Sequence, residues 1–341
     1  MGIPSDGTTR RGQQDTIGYA SRADQMAKVW EASASPPRPD RLGEAPSAGI
    51  AGAIAPHDDY VYAGRLYREV LPLITAPTVV IVGVFHKYRR FDIRNQLVFD
   101  SYSAWRTPDG DGKVSPLREE ILGKMPAGSY VQSAPAHDSE HSVEALVYWL
   151  KHARPDVQIL PIIVPASPFD RLQELAGLAG KALSETMAKR GWVLGRDVAV
   201  VISADAVHYG ADFQHVPFGE GGVDAYQQAV ARDKSLLMGP LNGDVTVDKA
   251  KQLYATFVDP DHPDTYRVTW CGRFSIPLGL MLLDAAARAS AGAKLSSRPV
   301  AYGTSVGWPE LPLRDAGLAQ TAPANLFHFV GHPAVALTIT R

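Results

Sequence analysis

Short apolar runs that end in polar residues recur along the chain. Four of them have the length and β-branched content of buried strands, and they lie at residues 48–55, 78–86, 158–164 and 197–203. Segments with helical spacing of their apolar residues lie between them, at 64–74, 141–150 and 169–189. Because strand–helix–strand units build parallel sheets, this pattern predicts a single α/β domain with a mostly parallel central sheet flanked by helices.

The remaining pattern predicts shorter and closing elements. Strands are expected at 96–105, 266–270, 299–304, 326–330 and 334–340, and helices at 115–124, 222–238, 247–254 and 276–289. A turn is expected at 106–112, where Pro, Asp and Gly cluster. Nothing divides the chain after residue 47, so residues 48–341 are predicted to form one domain.

Residues 1–47 are rich in Ser, Pro, Arg and Gly, and they predict a mostly irregular N-terminal arm. Within the arm, residues 23–30 form one short amphipathic segment. Met26, Val29 and Trp30 would lie on one face of it, and we expect the arm to dock through that face.

Charge and hydropathy exclude two classes of partner. The chain has 34 Lys and Arg against 36 Asp and Glu, which gives a net charge of −2 and no basic field for nucleic acid or anionic membranes. Its longest apolar runs are far shorter than the roughly 20 residues of a membrane helix. With no signal-peptide core and a single cysteine, Cys271, we expect a cytoplasmic protein that acts on a small molecule or a short peptide.

Histidine, cysteine and acidic residues follow the predicted strands where the chain leaves the sheet. These residues are His57, His86, Asp205, His208 and Cys271, and a predicted helix start adds His141 and Glu144. Ligand sites of open α/β sheets lie at this edge. Imidazole together with thiolate favours Zn, Fe or Cu, and ligands far apart in sequence are typical of a catalytic site assembled by the fold.

Each of these residues also has a structural interpretation. Cys271 could be a small buried residue, Asp205 a helix cap and His208 a surface histidine. His141 and Glu144 could be a local pair on one helical turn. The usual motifs of zinc proteases, serine hydrolases, phosphate loops and dinucleotide sites are absent from the sequence, so other enzyme classes lack their markers.

Six segments, in chain order, resemble the motifs of the Memo family. They are Pro-His-x-x-Tyr-x-Tyr-x-Gly at 56–64, Gly-Val-Phe-His at 83–86, Arg-Thr-Pro at 106–108, Glu-His-Ser-Val-Glu at 140–144, Ser-Ala-Asp-x-x-His-Tyr-Gly at 203–210 and Cys-Gly-Arg at 271–273. The resemblance runs over residues 48–340. It implies a fold similar to that of the class III extradiol ring-cleaving dioxygenases.

The resemblance also implies a metal site. His57, His86 and Cys271 would bind one metal ion, where the dioxygenases use two histidines and a carboxylate. Fe(II) is favoured as the cofactor, with Cu or Zn as alternatives, because the ligand types suit all three metals.

Four further residues are predicted to act beside the metal. His141 and His208 are the candidate acid and base, since imidazole transfers protons near neutral pH. Asp205 would orient one of these histidines, and Glu144 would support the site from behind.

The wall of the substrate pocket is predicted to include Asp58, Asp59, Tyr60, Arg106 and Arg273. In the segments that resemble the Memo family, Asp58 and Asp59 replace a usual Ala-Gly, and residues 84–85 and 274–276 also differ from the family pattern. Two added carboxylates make the entrance more acidic, which disfavours an anionic substrate or a phosphopeptide.

Three functions follow from these predictions. The first is a redox or dioxygenase-like enzyme with one metal ion and an unidentified small-molecule substrate. The second is a non-catalytic module that binds a peptide or metabolite, with Arg106 and Arg273 as anion-binding groups. The third is a zinc-dependent hydrolase that uses the same ligands.

Overall fold

An eleven-stranded mixed sheet forms the centre of the computed structural model, which describes residues 2–340 apart from the side chain of residue 291. The strands are β1 (Arg10–Arg11), β2 (Asp40–Arg41), β3 (Gly52–Ala55), β4 (Thr78–Val84), β5 (Leu97–Phe99), β6 (Ala104–Thr107), β7 (Gly110–Lys113), β8 (Tyr130–Gln132), β9 (Gln158–Val164), β10 (Val198–Ser203), β11 (His208–Tyr209), β12 (Gly243–Asp244), β13 (Lys294–Thr304) and β14 (Phe329–Thr340). The main sheet has the order β12-β13-β14-β3-β10-β4-β9-β5-β8, while β2 pairs with β13 and β11 pairs with β14. Strands β1, β6 and β7 form a separate small sheet.

The helices cover both faces of the sheet. They are α1 (Ala23–Ala32), α2 (Tyr60–Val70), α3 (Tyr88–Phe91), α4 (Leu117–Leu122), α5 (Ala134–Asp138), α6 (Glu144–Ala153), α7 (Phe169–Arg190), α8 (Val223–Met238), α9 (Val247–Phe257) and α10 (Ser275–Ala291). Helix α10 packs on α7, α9 and the central strand β10, while α2 packs on β3, β14, α1 and α6. None of the helices in the described part of the chain is both long and apolar enough to cross a membrane.

The middle of the sheet is the part that the apolar pattern predicts. Strands β3, β10, β4 and β9 are neighbours and run parallel, in the registers Val200↔Gly52, Val201↔Ile81 and Ile81↔Pro161. Helices cover both faces of these strands, and all their residues are buried except Gln158, which is partly exposed. Burial on both faces explains why these strands read as continuous apolar runs.

The predicted predominance of parallel pairing is wrong, because the sheet is mixed. Strands β13 and β14 form a long antiparallel pair, β14 runs antiparallel to β3, and β5 runs antiparallel to β9. The connection between β13 and β14 contains only a short 3-10 helix, Arg314–Ala316, and no crossover helix. Without a crossover, the returning strand pairs in the antiparallel direction.

Several of the predicted shorter segments take a different form. Residues 266–270 make only isolated pairings, such as that of Trp270 with Val207, and the predicted strand at 96–105 is split into β5 and β6. The predicted turn at 106–112 is the hairpin between β6 and β7, with Gly110 at a positive φ of 94°. The two closing strands predicted at 326–330 and 334–340 form the single strand β14.

The N-terminal arm lies against the rest of the chain. Helix α1 forms over the predicted amphipathic segment, and Met26 and Val29 are buried in the same hydrophobic core as the central strands. Tyr19 joins that core, whereas Trp30 is only partly buried. The division of the chain at residue 47 stays a prediction, and residues 1 and 341 at its outer ends lie outside the described residues.

Candidate metal centre

Three predicted site residues occupy equivalent places at the carboxyl edge of the parallel strands. His57, His86 and Asp205 each lie two residues beyond the last residue of β3, β4 and β10, respectively. The parallel registers bring these strand ends together. Cys271 reaches the same place from a 3-10 helix, because Trp270 pairs with Val207 just after β10.

Hydrogen bonds fix the protonation pattern of His57. The Ser203 hydroxyl donates to the Ser142 carbonyl oxygen at 2.5 Å, so its oxygen accepts from His57 Nδ1–H at 2.7 Å. His57 Nε2 is then left with a free lone pair. Burial and the nearby His86 and His141 lower the pKa of His57, which keeps the ring neutral. A neutral imidazole held through its second nitrogen is the usual state of a metal ligand.

The free nitrogen of His57 faces a thiol and a carboxyl group. Cys271 Sγ lies 3.7 Å and Asp205 Oδ2 lies 3.4 Å from His57 Nε2. All three residues are buried. Burial, and then the charge of Asp205, raises the pKa of Cys271, while burial and Asp58 raise the pKa of Asp205 to about 7. This group lacks a compensating positive charge of its own, which a metal cation would provide.

His86 and His141 form a second and more open group. Their rings stack with centroids 4.9 Å apart, and their side chains are 29% and 34% exposed. The buried Glu140 carboxylate lies 2.9 Å from His86 Nδ1 and accepts backbone N–H groups from His86, His141 and Ser142. Burial alone would raise the pKa of Glu140, but the two histidines and these hydrogen bonds hold it well below its usual range. Glu140 therefore fixes both rings and leaves His86 Nε2 free.

His57 belongs to both groups. Its ring nitrogens lie within 4.8 Å of ligand atoms of His86 and His141 on one side, and of Asp205 and Cys271 on the other. The predicted ligand set His57, His86 and Cys271 thus takes residues from both groups. Imidazole, thiolate and carboxylate donors fit Fe, Cu or Zn, and the thiolate argues against Mg or Ca.

His208 lies beside the two groups and is held as a neutral base. Its Nδ1–H points at the carbonyl oxygens of Ala206 and Thr269, each 3.1 Å away, so Nε2 carries the lone pair. Burial lowers the pKa of His208 to about 4. Asp205, predicted to orient a catalytic histidine, contacts His57 instead and accepts its backbone N–H at 3.0 Å.

A cavity of about 440 Å³ opens onto both groups. His57, His86, His141, Asp205, His208 and Cys271 line it, together with the predicted wall residues Asp58 and Asp59. Its size suits a small organic molecule. The cavity therefore brings most of the predicted site into contact with one enclosed space.

Four predicted site residues lie elsewhere. Tyr60 is in the first turn of α2 and donates to the Ala145 carbonyl oxygen inside the core. Arg106 is on the small sheet and donates to the Pro4 carbonyl oxygen, while the guanidinium of Arg273 stacks on Tyr266 at 3.5 Å. Glu144 is fully buried and binds the N-terminal arm, as described next. These four side chains do not line the cavity.

The arm holds the Glu140 loop from outside the cavity. Arg11 is 1% exposed, and its guanidinium bonds Glu144 Oε1 and the Glu140 carbonyl oxygen, each at 2.5 Å. Its guanidinium also stacks on Trp105 at 4.0 Å. Glu144 in turn accepts backbone N–H groups from residues 14 and 15. This buried ion pair links the arm to the loop that orients His86 and His141.

Sequence reasoning missed Glu140, Ser203 and the arm residues as parts of the site. Tyr19 of the arm donates its hydroxyl to the His57 carbonyl oxygen and lines the cavity. Glu140 and Ser203 open two of the recognised motifs, and a carboxyl or hydroxyl next to a candidate ligand was the available signal. Composition gives no comparable signal for Tyr19.

The fold and site define an α/β protein with a candidate metal centre at the carboxyl edge of its parallel strands. The family model described as Memo-like protein matches residues 17–305, so the chain belongs to the Memo family.

Curated relatives with the same family name are found in archaea and bacteria. The chain is 29% identical over 181 residues to a "MEMO1 family protein" of Thermococcus onnurineus, an alignment that covers 50% of this chain and 56% of that protein. It is 31% identical over 159 residues to one of Aquifex aeolicus (46% and 53%) and 31% identical over 161 residues to one of Archaeoglobus fulgidus (47% and 56%). The chain thus spans about half the length of the curated relatives it matches.

Proposed function

We propose that the protein is a redox enzyme of the dioxygenase-like type that uses one bound metal ion and acts on a small molecule. The observation that carries this proposal is the free lone pair of His57 Nε2, aimed at Cys271 and Asp205 on the wall of a cavity. Fe(II) is favoured over Cu and Zn. Membership of the Memo family supports the same proposal, and so does the expected likeness to class III extradiol dioxygenases.

In this proposal His57, His86 and Cys271 hold the metal. Ser203 and Glu140 fix the two imidazole rings from behind, and Asp205 adds negative charge beside His57. A bound iron or copper ion supplies electron transfer, which no side chain of the site provides. The reducing cytoplasm that we propose as the location suits a thiol among the ligands.

The proton chemistry falls to the two histidines that face the cavity. His208 Nε2 is unprotonated and accepts a proton from a substrate hydroxyl, thiol or ammonium group. His141 lines the same cavity. Its Nδ1 lies 3.4 Å from Glu140 Oε1, and its ring stacks on His86. Burial lowers the pKa of its ring, with Glu140 opposing the shift, so a protonated His141 readily returns a proton to the product.

The test is metal content and oxygen uptake on the whole 341-residue chain. Protein purified without air is analysed for bound metal, loaded separately with Fe(II), Cu(I) or Zn(II), and assayed for oxygen consumption with catechols and thiols. We expect near-stoichiometric iron or copper and oxygen uptake only with those metals. A His208→Gln variant should keep the metal and lose turnover, while the exposed His262→Gln variant should behave like wild type.

Two results would replace this proposal. Hydrolysis that needs zinc but neither oxygen nor a reductant would identify a zinc hydrolase. Tight ligand binding that is independent of metal and gives no turnover would identify a binding module.

A further inference from the structure

Four carboxyl side chains line the cavity. They belong to Asp15, Asp58, Asp59 and Asp205, and none of the described residues that line the cavity is a lysine or an arginine. The cavity thus holds carboxylates and imidazoles, with no permanent cation. An anionic ligand would find no counter-charge of protein origin away from the metal.

Two buried arginines neighbour the wall residues in the chain, and Nη1 of one of them, Arg273, has no hydrogen-bond partner in the described part of the chain. Arg11 is occupied by Glu144, and Arg273 lies over Tyr266 and Phe274, with its guanidinium carbon 3.5 Å and 4.9 Å from the two ring centres. Neither is among the residues that line the cavity.

Asp58 lies on the cavity wall and has a histidine partner. His332 Nε2 donates to Asp58 Oδ2 at 2.7 Å, while His332 Nδ1 is buried and has no hydrogen-bond partner in the described part of the chain. The Asp58 side chain is 17% exposed, so it reaches the cavity beside this histidine.

Asp15 brings a second carboxylate to the same wall. Its Oδ1 accepts the backbone N–H groups of Ile17 and Gly18, which holds the arm in a tight turn. A side chain at Gly18 would lie 1.9 Å from Asp59 Oδ1, so glycine lets this turn rest directly on Asp59. The Asp59 carboxylate itself is occupied by the backbone N–H and hydroxyl of Thr321, at 2.6 and 3.0 Å. Both oxygens of Asp58 also have a partner, but its side chain is 17% exposed and Asp15 is partly exposed, whereas Asp59 is only 4% exposed. Asp15 and Asp58 are therefore the carboxylates that a ligand can reach.

Aromatic rings complete the wall. Tyr19, Tyr62, Phe213 and Tyr266 line the cavity, and Phe213 is held by stacking on His328 at 4.6 Å. Rings beside carboxylates in a concave site are the usual means of binding an organic cation, because the ring faces attract positive charge. The acidic and aromatic side chains therefore point to one class of ligand.

We infer that the substrate of this cavity is a small organic cation, an amine whose ammonium group lies against Asp15 and Asp58 while its reactive end faces the metal centre. This inference rests on the proposed function for the identity of the reactive end. It adds the substrate class, and it assigns Asp15, which precedes the residues matched by the family, to substrate recognition.

The test compares three probes that share one phenol ring and differ in charge. Tyramine, 4-hydroxyphenylethanol and 4-hydroxyphenylacetate are titrated by calorimetry into the whole 341-residue chain as isolated and into the zinc-loaded protein. We expect the amine to bind about tenfold more tightly than the alcohol, and the carboxylate to bind most weakly. Equal binding of the three, tighter binding of the carboxylate, or no binding of any probe would overturn the inference.

Variants separate a specific contact from the general charge of the protein. Asp15→Asn keeps an oxygen for the turn hydrogen bonds but removes the charge, and Asp58→Asn does the same at the second position. Each should reduce the preference for the amine at least about threefold. Asp156→Asn, an exposed position before β9 at the opposite edge of the sheet, should leave it unchanged. Metal content and oxygen uptake are measured in parallel, so a failure of the redox proposal is seen separately from the order of probe affinities.

Discussion

The two groups that share His57 differ in burial and in ligand chemistry. On one side, Cys271 and Asp205 are almost fully buried and offer a thiol and a carboxyl group. On the other side, His86 and His141 are about one-third exposed and offer two imidazoles that Glu140 holds in a stack. A buried thiolate makes a fixed, permanent ligand, whereas open imidazoles can exchange protons with a substrate. In the proposed function, the first side supplies the fixed ligand Cys271, and the second side supplies the ligand His86 and the proton carrier His141.

The largest effect is expected at the shared residue. His57→Ala removes the only side chain that both groups contain, and the protein should lose its bound metal. Elemental analysis of protein purified without air measures this loss. The exposed His262→Ala variant is the matched control and should bind metal as the wild type does. Full metal content in His57→Ala would show that neither group is the metal centre.

Cys271→Ser tests the buried side alone. Serine keeps the size of the side chain but not the soft thiolate, so metal affinity should fall by about a hundredfold or more. Competition with a chelator of known affinity measures the change. Unaltered affinity would indicate that the three histidines His57, His86 and His141 bind the metal instead. The open side, and not the buried side, would then be the metal site.

His141→Gln tests the open side. We expect metal content to stay within error of wild type and turnover to fall about a hundredfold, because a general acid or base typically contributes that much. Steady-state oxygen uptake at saturating substrate measures turnover. If metal content fell in step with activity, His141 would be a ligand rather than a proton carrier.

The smallest effect on metal affinity is expected at Glu140, which contacts the two exposed imidazoles. Glu140→Gln keeps the shape of the side chain but removes the charge that orients His86 and His141, and metal affinity should fall about tenfold. Because the pKa of Glu140 is lowered in the folded protein, its contribution to stability is present above its ordinary pKa and is lost as the pH falls below it.

Denaturant unfolding should therefore show wild type more stable than Glu140→Gln by about 1–2 kcal/mol at pH 7, with the gap narrowing once the pH falls below the ordinary glutamate pKa and closing only below the lowered folded-state pKa. The exposed Glu44→Gln variant serves as the control for the loss of one charge. A gap that grew toward acid pH would contradict the assigned role of Glu140.

Local patterns predicted the parallel centre of the sheet and the strand ends that carry the site. Apolar runs located β4, β9 and β10 nearly to the residue, because strands buried on both faces leave a continuous signal. His57, His86 and Asp205 followed from the rule that ligands gather at the carboxyl ends of parallel strands. The antiparallel closure by β13 and β14 was missed, since the direction of a returning strand depends on its connection and not on its own pattern.

Tertiary contacts decided the remaining positions. Tyr60 belongs to a recognised motif, yet its place in the first turn of α2 directs it into the core. Arg11 lies in a polar, Pro-rich arm whose composition predicts exposure. It is nevertheless buried, because it forms an ion pair with Glu144, which is 133 positions away in the sequence. Only the folded chain reveals such a pair, since a charged side chain can be buried only where the fold places an opposite charge beside it.

The Arg11–Glu144 pair also sets a boundary for work with shortened chains. A chain cut to residues 17–305, the span that matches the family, would discard Arg11, Asp15 and the whole of β14. Glu144 would then remain as a buried carboxylate without its cation, beneath the loop that carries His141. The span that matches the family model is thus shorter than the part of the chain whose contacts support the site, so chemistry measured on such a shortened chain would not describe the intact site.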